Sequence, residues 1–224
     1  MNWLAYADQG LCVESVPLQD IAARFGTPAW VYSRQALSSH WQAFEAALHG
    51  REALICYAVK ANPNLSILRF FAEAGAGFDI VSGGELARVL KAGGSPEKVV
   101  FSGVGKRSDE IEAALKIGVK CFNVESAAEL RRINAIAIAL GMRAPVSLRV
   151  NPDVDAKSHP YISTGLKENK FGIGHEEALT LYREAANSPG LELVGIDCHI
   201  GSQITEMAPF MAALDKLLEL IDQL

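Results

Sequence analysis

The stretch GFDIVSGGELARVL at residues 77–90 combines a strand pattern with the start of a helix. Its first five residues are apolar apart from Asp79, which is typical of a short buried β-strand. Ser82 and Glu85 then form an S-x-x-E capping box, a signature of a helix N-terminus. The apolar residues that follow are spaced as on one face of a helix. The stretch therefore predicts a β-strand that leads directly into an α-helix.

The same alternation recurs along most of the chain. Runs rich in β-branched and aromatic residues lie at residues 53–60, 77–82, 98–103, 120–125, 145–151 and 191–201. They are nearly free of internal charge, which predicts strands that are buried on both faces. A second capping box at residues 126–129 and a serine at position 108 mark further helix starts. Strand–helix alternation with short connections predicts right-handed βαβ units and a parallel sheet.

Two α/β architectures are compatible with this pattern. The sequence contains six β/α units, whereas a complete (β/α)₈ TIM barrel has eight. An open, doubly wound sheet is one solution, and a barrel truncated after about six units is the other. We favour the truncated barrel, because a repeat of ~20–25 residues suits a barrel of ~250 residues.

The first 35 residues do not follow the alternation. A hairpin is predicted at residues 3–13, a short helix at Leu18–Phe25 and a strand at residues 27–32. We therefore predict an N-terminal leader at residues 1–35 and a partial barrel at residues 36–224. The leader is expected to pack against a C-terminal β domain that the sequence does not contain.

The composition argues against several classes of function. The net charge of −5 and the absence of a basic run give no reason to expect binding to nucleic acid or to an anionic membrane. No apolar run approaches the ~20 residues of a transmembrane helix. The N-terminal residues lack a signal-peptide pattern. The four cysteines form no CxxC pair, so we expect buried, reduced thiols and a cytoplasmic protein.

Polar side chains cluster at the ends of the predicted strands. They are Lys60, Asp79, Ser82, Ser102, Asn123, Glu125, Arg149, Asn151, His199 and Ser202. In a β/α barrel the active site lies at the carboxyl ends of the strands. Folding alone explains poorly why six apolar strands end in polar groups, so the pattern predicts a site at this edge of the sheet.

Three of these positions suggest a particular chemistry. Lys60 follows an apolar run, and burial there would favour the neutral amine that forms a Schiff base. His199 is placed to lie over an aromatic cofactor, and Gly201 with Ser202 offers N–H groups and a hydroxyl to a phosphate. Each also has an ordinary explanation: a lysine that extends to solvent, a histidine bonded to backbone, a common βα turn.

Other candidates have equally ordinary explanations. The capping box accounts for Glu85. A turn cap would explain Asp79, and an ion pair with Glu125 would explain Arg149. The segment SGVGK at residues 102–106 resembles a phosphate loop but lacks the GxxxxGK[ST] spacing. The histidines form no HExxH motif or other metal-ligand cluster, so no metal site is expected.

Seven segments in a fixed order resemble one enzyme family. They are YAVKAN at 57–62, GFDIVSGGEL at 77–86, FSGVGK at 101–106, FNVES at 122–126, LRVNPD at 148–153, KFGI at 170–173 and HIGSQ at 199–203. They are similar to motifs of the fold-type III pyridoxal-phosphate (PLP) decarboxylases, which act on diaminopimelate, ornithine or arginine. The sequence of residues 147–173 resembles that of the bacterial diaminopimelate branch of this family.

The resemblance implies a PLP-binding barrel of the alanine-racemase type and a role for several residues. Lys60 would carry PLP as a Schiff base, and His199 would stack on its pyridine ring. Ser202 and the region of Gly201 would bind the phosphate.

Four more positions take roles from the same resemblance. Asp79 and Glu85 would lie beside the cofactor, and Arg149 would approach its phenolic oxygen. Lys170 would help to organise a loop over the site, and the irregular residues 154–169 are a candidate for that loop.

The implied reaction is the decarboxylation of meso-2,6-diaminopimelate to L-lysine and CO₂ in lysine biosynthesis, by a homodimer. The family's glycine-rich phosphate loop, its Glu-Pro-Gly-Arg segment and its C-terminal β domain do not occur in these 224 residues. We therefore expect the chain alone to be inactive. A decarboxylase of ornithine or carboxynorspermidine, a cofactor-free Schiff-base lyase and a non-catalytic relative are the alternatives.

Overall fold

The computed structural model describes residues 3–154 and 171–224. The chain divides into two compact units, Met1–Ile55 and Cys56–Leu224. The predicted division into a leader and a partial barrel, with its boundary after residue 35, stays a prediction. Lys170 and all but the first residue of the predicted loop at 154–169 lie outside the described residues.

The N-terminal unit contains a small antiparallel sheet and two helices. Its elements are β1 (Leu4–Ala7), β2 (Gly10–Val13), β3 (Val16–Pro17), α1 (Leu18–Phe25) and α2 (Arg34–Ala47). The predicted hairpin is confirmed, since Ala7 pairs with Gly10 across the turn. The predicted helix at Leu18–Phe25 is confirmed too. Helix α2 begins where the Ser33 hydroxyl accepts a hydrogen bond from the N–H of Ala36.

The strand predicted at residues 27–32 is wrong. The structure has no strand there. Pro28 has no N–H to donate to a ladder, and Trp30 is 90% exposed, so no sheet face covers it.

The second unit alternates strands and helices. Its elements are β4 (Cys56–Ala58), α3 (Leu65–Glu73), β5 (Gly77–Ile80), α4 (Gly83–Lys91), β6 (Val99–Phe101), α5 (Ser108–Ile117), β7 (Cys121–Val124), α6 (Ala127–Ala139), β8 (Ala144–Asn151), β9 (Ile173–Gly174), α7 (His175–Ala186), β10 (Leu191–Asp197) and α8 (Ala208–Ile221). All six predicted strands are present, and every strand end lies within four residues of its predicted position. Among the described helices, none has both the length and the apolar character needed to cross a bilayer.

The strand order distinguishes the two architectures. Strands β4, β5, β6, β7, β8 and β10 pair in parallel and in the order of the chain, and β9 pairs with β8. A doubly wound sheet reverses its strand order at a switch point, whereas a barrel adds each strand beside the previous one. The described sheet shows no reversal, so it has the order of a barrel segment.

The two faces of the sheet differ in character. One face carries side chains that are completely buried: Phe78, Ile80, Val99, Phe101, Phe122, Val124, Val146 and Leu148. Helices α4, α6 and α7 contact the strands β5 and β8 that supply half of them. Each such side chain contributes on the order of 1.5–3 kcal/mol through burial. The opposite face carries polar groups, several of them buried as well, such as Asn123 and Ser147. The expectation of strands buried on both faces therefore holds for the central strands β7 and β8.

The two capping serines start their helices as predicted, but the glutamates bind differently. Ser82 accepts a hydrogen bond from the N–H of Glu85 at 3.3 Å. The Glu85 carboxylate accepts from the N–H of Val81 at 2.7 Å, not from that of the capping serine. Glu129 in turn accepts from the N–H of Glu125 at 2.8 Å. Each glutamate therefore ties its helix to the end of the preceding strand.

Candidate active site

A cavity of about 590 Å³ lies along the polar face of the parallel sheet. Its lining residues are Cys56, Lys60, Asp79, Val81, Val100, Ser102, Gly103, Lys120, Cys121, Asn123, Ser147, Arg149, Val194, Gly195, Ile196, Asp197, Cys198 and His199. Eight of these 18 residues occupy alternate positions on or just after β5 to β8, because successive side chains of a strand point to opposite faces. Lys60, Asp79, Arg149 and His199, all predicted site residues, are brought together here.

Lys60 lies beyond the end of its strand. Strand β4 ends at Ala58, and Lys60 occupies a single 3₁₀ turn, Val59–Ala61. The side chain of Val59 is completely buried, whereas Lys60 is exposed. The expectation that Lys60 would be a buried strand residue is therefore wrong. The turn raises its amine to the mouth of the cavity, where an incoming carbonyl compound has access to it.

An aromatic contact fixes the segment that carries this turn. The rings of Tyr57 and Phe71 are stacked, with centroids 4.2 Å apart. The Tyr57 hydroxyl also donates a hydrogen bond to the carbonyl oxygen of Asn62 at 3.3 Å. These contacts anchor both sides of the Lys60 turn, so its position is set by packing rather than by the lysine itself.

Three neighbouring strands hold a row of hydrogen-bonded polar side chains. The Ser102 hydroxyl donates to Asp79 Oδ1 at 2.5 Å. Asn123 Nδ2 donates to Ser102 Oγ at 3.1 Å. Asp79 is half-buried and Asn123 is buried. The row holds the Asp79 carboxylate in one orientation toward the cavity.

Arg149 is paired as one of the alternatives predicted. Its Nη1 atom lies 2.9 Å from Glu125 Oε1, and the Glu125 side chain is 2% exposed. The N–H of Gly103 donates to the same oxygen at 3.1 Å. The Arg149 guanidinium lies 5.8 Å from the ring centroid of Phe171. The guanidinium is thus held from two sides at the wall of the cavity.

Gly172 explains why a glycine follows this phenylalanine. Its φ of +85° belongs to the left-handed region, and a Cβ there would lie 3.1 Å from the carbonyl oxygen of Arg149. A side chain at this position would meet both backbone strain and a collision with β8. Gly172 therefore permits the close approach that places Phe171 over Arg149.

His199 lies two residues beyond β10 and is exposed. Although the residue is exposed overall, partial desolvation of its ring in the cavity lowers the pKa of His199, and the charges of Arg149 and Lys60 lower it further. Asp79 and Glu125 act in the opposite direction without reversing the effect. The cavity therefore favours a neutral imidazole at neutral pH, the form suited to contact with a flat aromatic ring.

Asp197 is a site residue that the sequence prediction missed. Asp197 lies on β10, in register with Arg149 on the adjacent strand β8. Burial raises the pKa of Asp197 to about 6; Arg149 lowers it, while Asp79 and Glu125 raise it. Its signal in the sequence is the position two residues before His199, on the same face of an extended segment.

Three of the four cysteines line the cavity, and all four are free. Cys121 is buried, whereas Cys56 and Cys198 are half-buried. Burial raises the pKa of all three thiols, that of Cys121 to about 11. At neutral pH they are thiols rather than thiolates, which makes them poor nucleophiles.

The remaining predicted site residues are not among those lining the cavity. The Glu85 carboxylate binds the N–H of Val81, which does line it. Gly201, with φ of 150°, is half-buried, and Ser202 is exposed just after the strand-end histidine. The structure gives these three residues positions near the same sheet edge, and their predicted roles stay predictions.

Comparison with known proteins identifies the class. The family described as pyridoxal-dependent decarboxylase, pyridoxal binding domain, matches residues 34–224. The chain therefore belongs to the pyridoxal-dependent decarboxylases, whose cofactor is PLP.

The particular relatives are diaminopimelate decarboxylases. That of Pseudomonas aeruginosa is 58% identical over 224 residues, which are all of this chain and 54% of the relative. The Helicobacter pylori enzyme complexed with L-lysine superposes with a TM-score of 0.90 at 46% identity, covering 92% of this chain and 52% of that one. The M. jannaschii enzyme in complex with L-lysine gives 0.91 at 36%, covering 98% and 52%. This chain spans about half the length of these relatives.

The residues of the cavity fit the family cofactor. An exposed amine suits covalent attachment of an aldehyde, and a guanidinium suits an anionic oxygen. A neutral imidazole suits an aromatic face, and about 590 Å³ lies within the ~300–1,000 Å³ usual for small-ligand sites. Lys60, Arg149 and His199 supply these three groups, and all three residues line the same cavity.

Proposed function

We propose that this chain supplies the PLP-binding part of a diaminopimelate decarboxylase, which converts meso-2,6-diaminopimelate to L-lysine and CO₂. The observation that carries the proposal is the cavity that brings together Lys60, Asp79, Arg149 and His199. The 58% identity to diaminopimelate decarboxylases along the whole chain supports the choice of substrate.

Lys60 is the proposed point of attachment. Its amine stands at the cavity mouth on a turn anchored by the buried Val59. Because Lys60 is exposed, its amine would be accessible both to PLP and to an incoming substrate. When bound, PLP supplies an electron sink for the electron pair left behind by CO₂.

The other proposed residues bind and orient. His199 lies against the aromatic ring as a neutral imidazole. Arg149 would donate to the phenolic oxygen, and the Asp79 carboxylate, held in place by Ser102, would lie beside the bound ring. Ser202 and Gly201 receive the phosphate.

Glu85 acts through the backbone. Its carboxylate fixes the N–H of Val81 at the cavity wall, so we assign it a place beside the cofactor rather than a contact with the substrate. Lys170 is proposed to organise the covering loop.

The wider proposals follow from the family. The parallel sheet segment is completed to a closed barrel, and the N-terminal leader packs with a C-terminal β domain. The complete enzyme is a cytoplasmic homodimer that serves lysine biosynthesis. The half of the relatives' length that this chain does not match would supply the remaining phosphate, pyridine-nitrogen and substrate contacts.

An assay of CO₂ release tests the proposal. The full-length protein that contains this chain, loaded with PLP, is given meso-diaminopimelate, L-ornithine or L-lysine. We expect kcat/KM for meso-diaminopimelate to exceed that for the others at least ~100-fold. A site built to bind the polar groups of one substrate strongly rejects an analogue that lacks them. Lys60→Ala should abolish turnover, whereas Lys116→Met, at an exposed helical lysine, should leave it unchanged.

Two results would contradict this assignment. Preference for ornithine or lysine would replace the substrate, and turnover that survives Lys60→Ala would remove the attachment site. Full turnover by the isolated 224-residue chain would overturn the prediction that this chain is catalytically incomplete.

A further inference from the structure

Lys106 is a buried lysine that the proposed mechanism leaves without a role. It is 2% exposed, and it does not line the cavity. Its Nζ atom donates three hydrogen bonds, each of 2.7 Å, to the carbonyl oxygens of Gly103 and Asn123 and to Glu129 Oε1. All three ammonium protons therefore have acceptors, and this is the lysine of the segment that resembles a phosphate loop.

Stability alone is a weak explanation for such a pair. The desolvation of a buried lysine and a buried glutamate offsets most of their attraction, and apolar residues of similar size often serve as well. The side chains of Lys106 and Glu129 are 0% and 4% exposed. An ion pair so buried indicates a need for defined geometry, and the atoms it holds show where that geometry is used.

The bonds of Lys106 lead to Arg149 by two routes. Glu129, held by Lys106, accepts from the N–H of Glu125 through its second oxygen at 2.8 Å. Gly103, whose carbonyl accepts from Lys106, donates its N–H to Glu125 Oε1. Glu125 Oε1 then accepts from Arg149 at 2.9 Å. The backbone and the side chain of Glu125 are thus both fixed from the Lys106 side.

Glu125 has capacity left after these contacts. Its Oε2 atom is buried and has no hydrogen-bond partner among the described residues. Through its bonded oxygen, the buried Glu125 carboxylate places a negative charge beside the Arg149 guanidinium in a medium of low dielectric. That charge restricts the long Arg149 side chain to one position in the cavity wall.

We propose that Lys106 and Glu125 are positioning residues that hold the Arg149 guanidinium where it meets the bound cofactor. The proposal rests on the proposed function for what Arg149 contacts, but not for how Arg149 is held. Neither residue touches the reacting atoms. Without them the guanidinium remains charged and free to adopt other rotamers, and binding must then supply the order that the protein lacks.

Two variants of the full-length protein test this, Lys106→Met and Glu125→Gln. The first readout is the dissociation constant of PLP, titrated into the apo protein by absorbance. We expect each variant to bind PLP at least about tenfold more weakly, because an ordered, charge-assisted contact is lost. Lys116→Met, which breaks the exposed Lys116–Glu112 pair on α5, is the matched control and should stay within about twofold.

A cycle with Arg149→Gln separates positioning from a general loss of structure. If Lys106 acts through Arg149, Lys106→Met adds no further loss of PLP affinity in the Arg149→Gln background. If Lys106 only supports the fold, the two losses multiply.

The pKa of His199, measured by NMR in the apo protein, gives a readout that needs no cofactor. Burial, Arg149 and Lys60 lower this pKa, whereas Asp79 and Glu125 raise it. Displacement of Arg149 in Lys106→Met should therefore raise the pKa of His199 in the wild-type background but not in the Arg149→Gln background, and Lys116→Met should change it in neither.

The outcomes are distinct. Wild-type affinity in both folded variants, multiplying losses in the cycle, or an unchanged His199 pKa in Lys106→Met would overturn the positioning role. If Lys106→Met does not fold, the near-isosteric Glu125→Gln and its cycle with Arg149→Gln decide. A wild-type protein that binds no PLP refutes the proposed function instead, and the His199 pKa then still decides how Arg149 is held.

Discussion

Replacing Asp197 with asparagine should stabilise the chain at neutral pH. The pKa of Asp197 is raised to about 6 from 3.8, first by burial and then by Asp79 and Glu125, against the opposing effect of Arg149 and Lys106. Each pKa unit corresponds to ~1.36 kcal/mol, so the folded state is destabilised by up to ~3 kcal/mol when Asp197 is ionised. Arg149 keeps its partner Glu125 in the variant.

Proton linkage determines how the cost of ionising Asp197 changes with pH. Because the folded-state pKa is raised, the folded chain binds this proton more tightly than the unfolded chain, and the cost of ionisation grows as the pH rises from 3.8 to 6. Above that range the full cost is present. Asp197→Asn should therefore raise the free energy of unfolding by ~1–3 kcal/mol at pH 7.5, and by about half as much at pH 5.

Urea unfolding followed by circular dichroism measures both values. Asp109→Asn is the control, since the Asp109 side chain is 64% exposed in its pair with Arg107, and it should change stability by less than ~0.5 kcal/mol at either pH. A variant that is less stable than the wild type at pH 7.5, or equally stabilised at both pH values, would refute the reasoning about burial.

Three further predictions concern packing, capping and reactivity. Gly190→Ala places a Cβ 2.7 Å from the carbonyl oxygen of Asn134 and should lower the free energy of unfolding by ~1–3 kcal/mol in urea titrations; an unchanged midpoint would contradict this. Ser126→Ala removes the cap of α6 and should cost ~1 kcal/mol in the same assay, and no loss would deny the cap a role. Cys121, with a pKa of about 11, should react with iodoacetamide at pH 8 far more slowly than a free thiol; equal rates by mass spectrometry would show an accessible thiolate.

The parallel strands were predictable because each is a short local pattern. Capping boxes and apolar runs lie within ten residues of each other, so the sequence reports them directly. The segment at 27–32 shows the limit of such reasoning: its last four residues are apolar, yet Pro28 has no N–H and no strand forms there. The two faces of the sheet also differ, since Asp79 and Arg149 alternate with buried Phe78 and Leu148.

The contacts between the site residues were harder to predict. Lys106 and Glu129 are 23 positions apart, and so are Ser102 and Asp79. Pairings of that kind depend on which strands become neighbours, and the sequence offers several partners for each charge. The apolar run before Lys60 predicts a buried strand, whereas the backbone turns after Ala58 and leaves Lys60 exposed.

The most direct test of the whole account is whether PLP attaches covalently to the amine of Lys60. The full-length protein is incubated with PLP and reduced with borohydride, and its peptides are mapped by mass spectrometry. The account predicts a single reduced pyridoxyl adduct on the peptide that contains Lys60, and none in Lys60→Ala. An adduct on Lys106, Lys120 or another lysine with Lys60 unlabelled, or no adduct in the wild type, would contradict it.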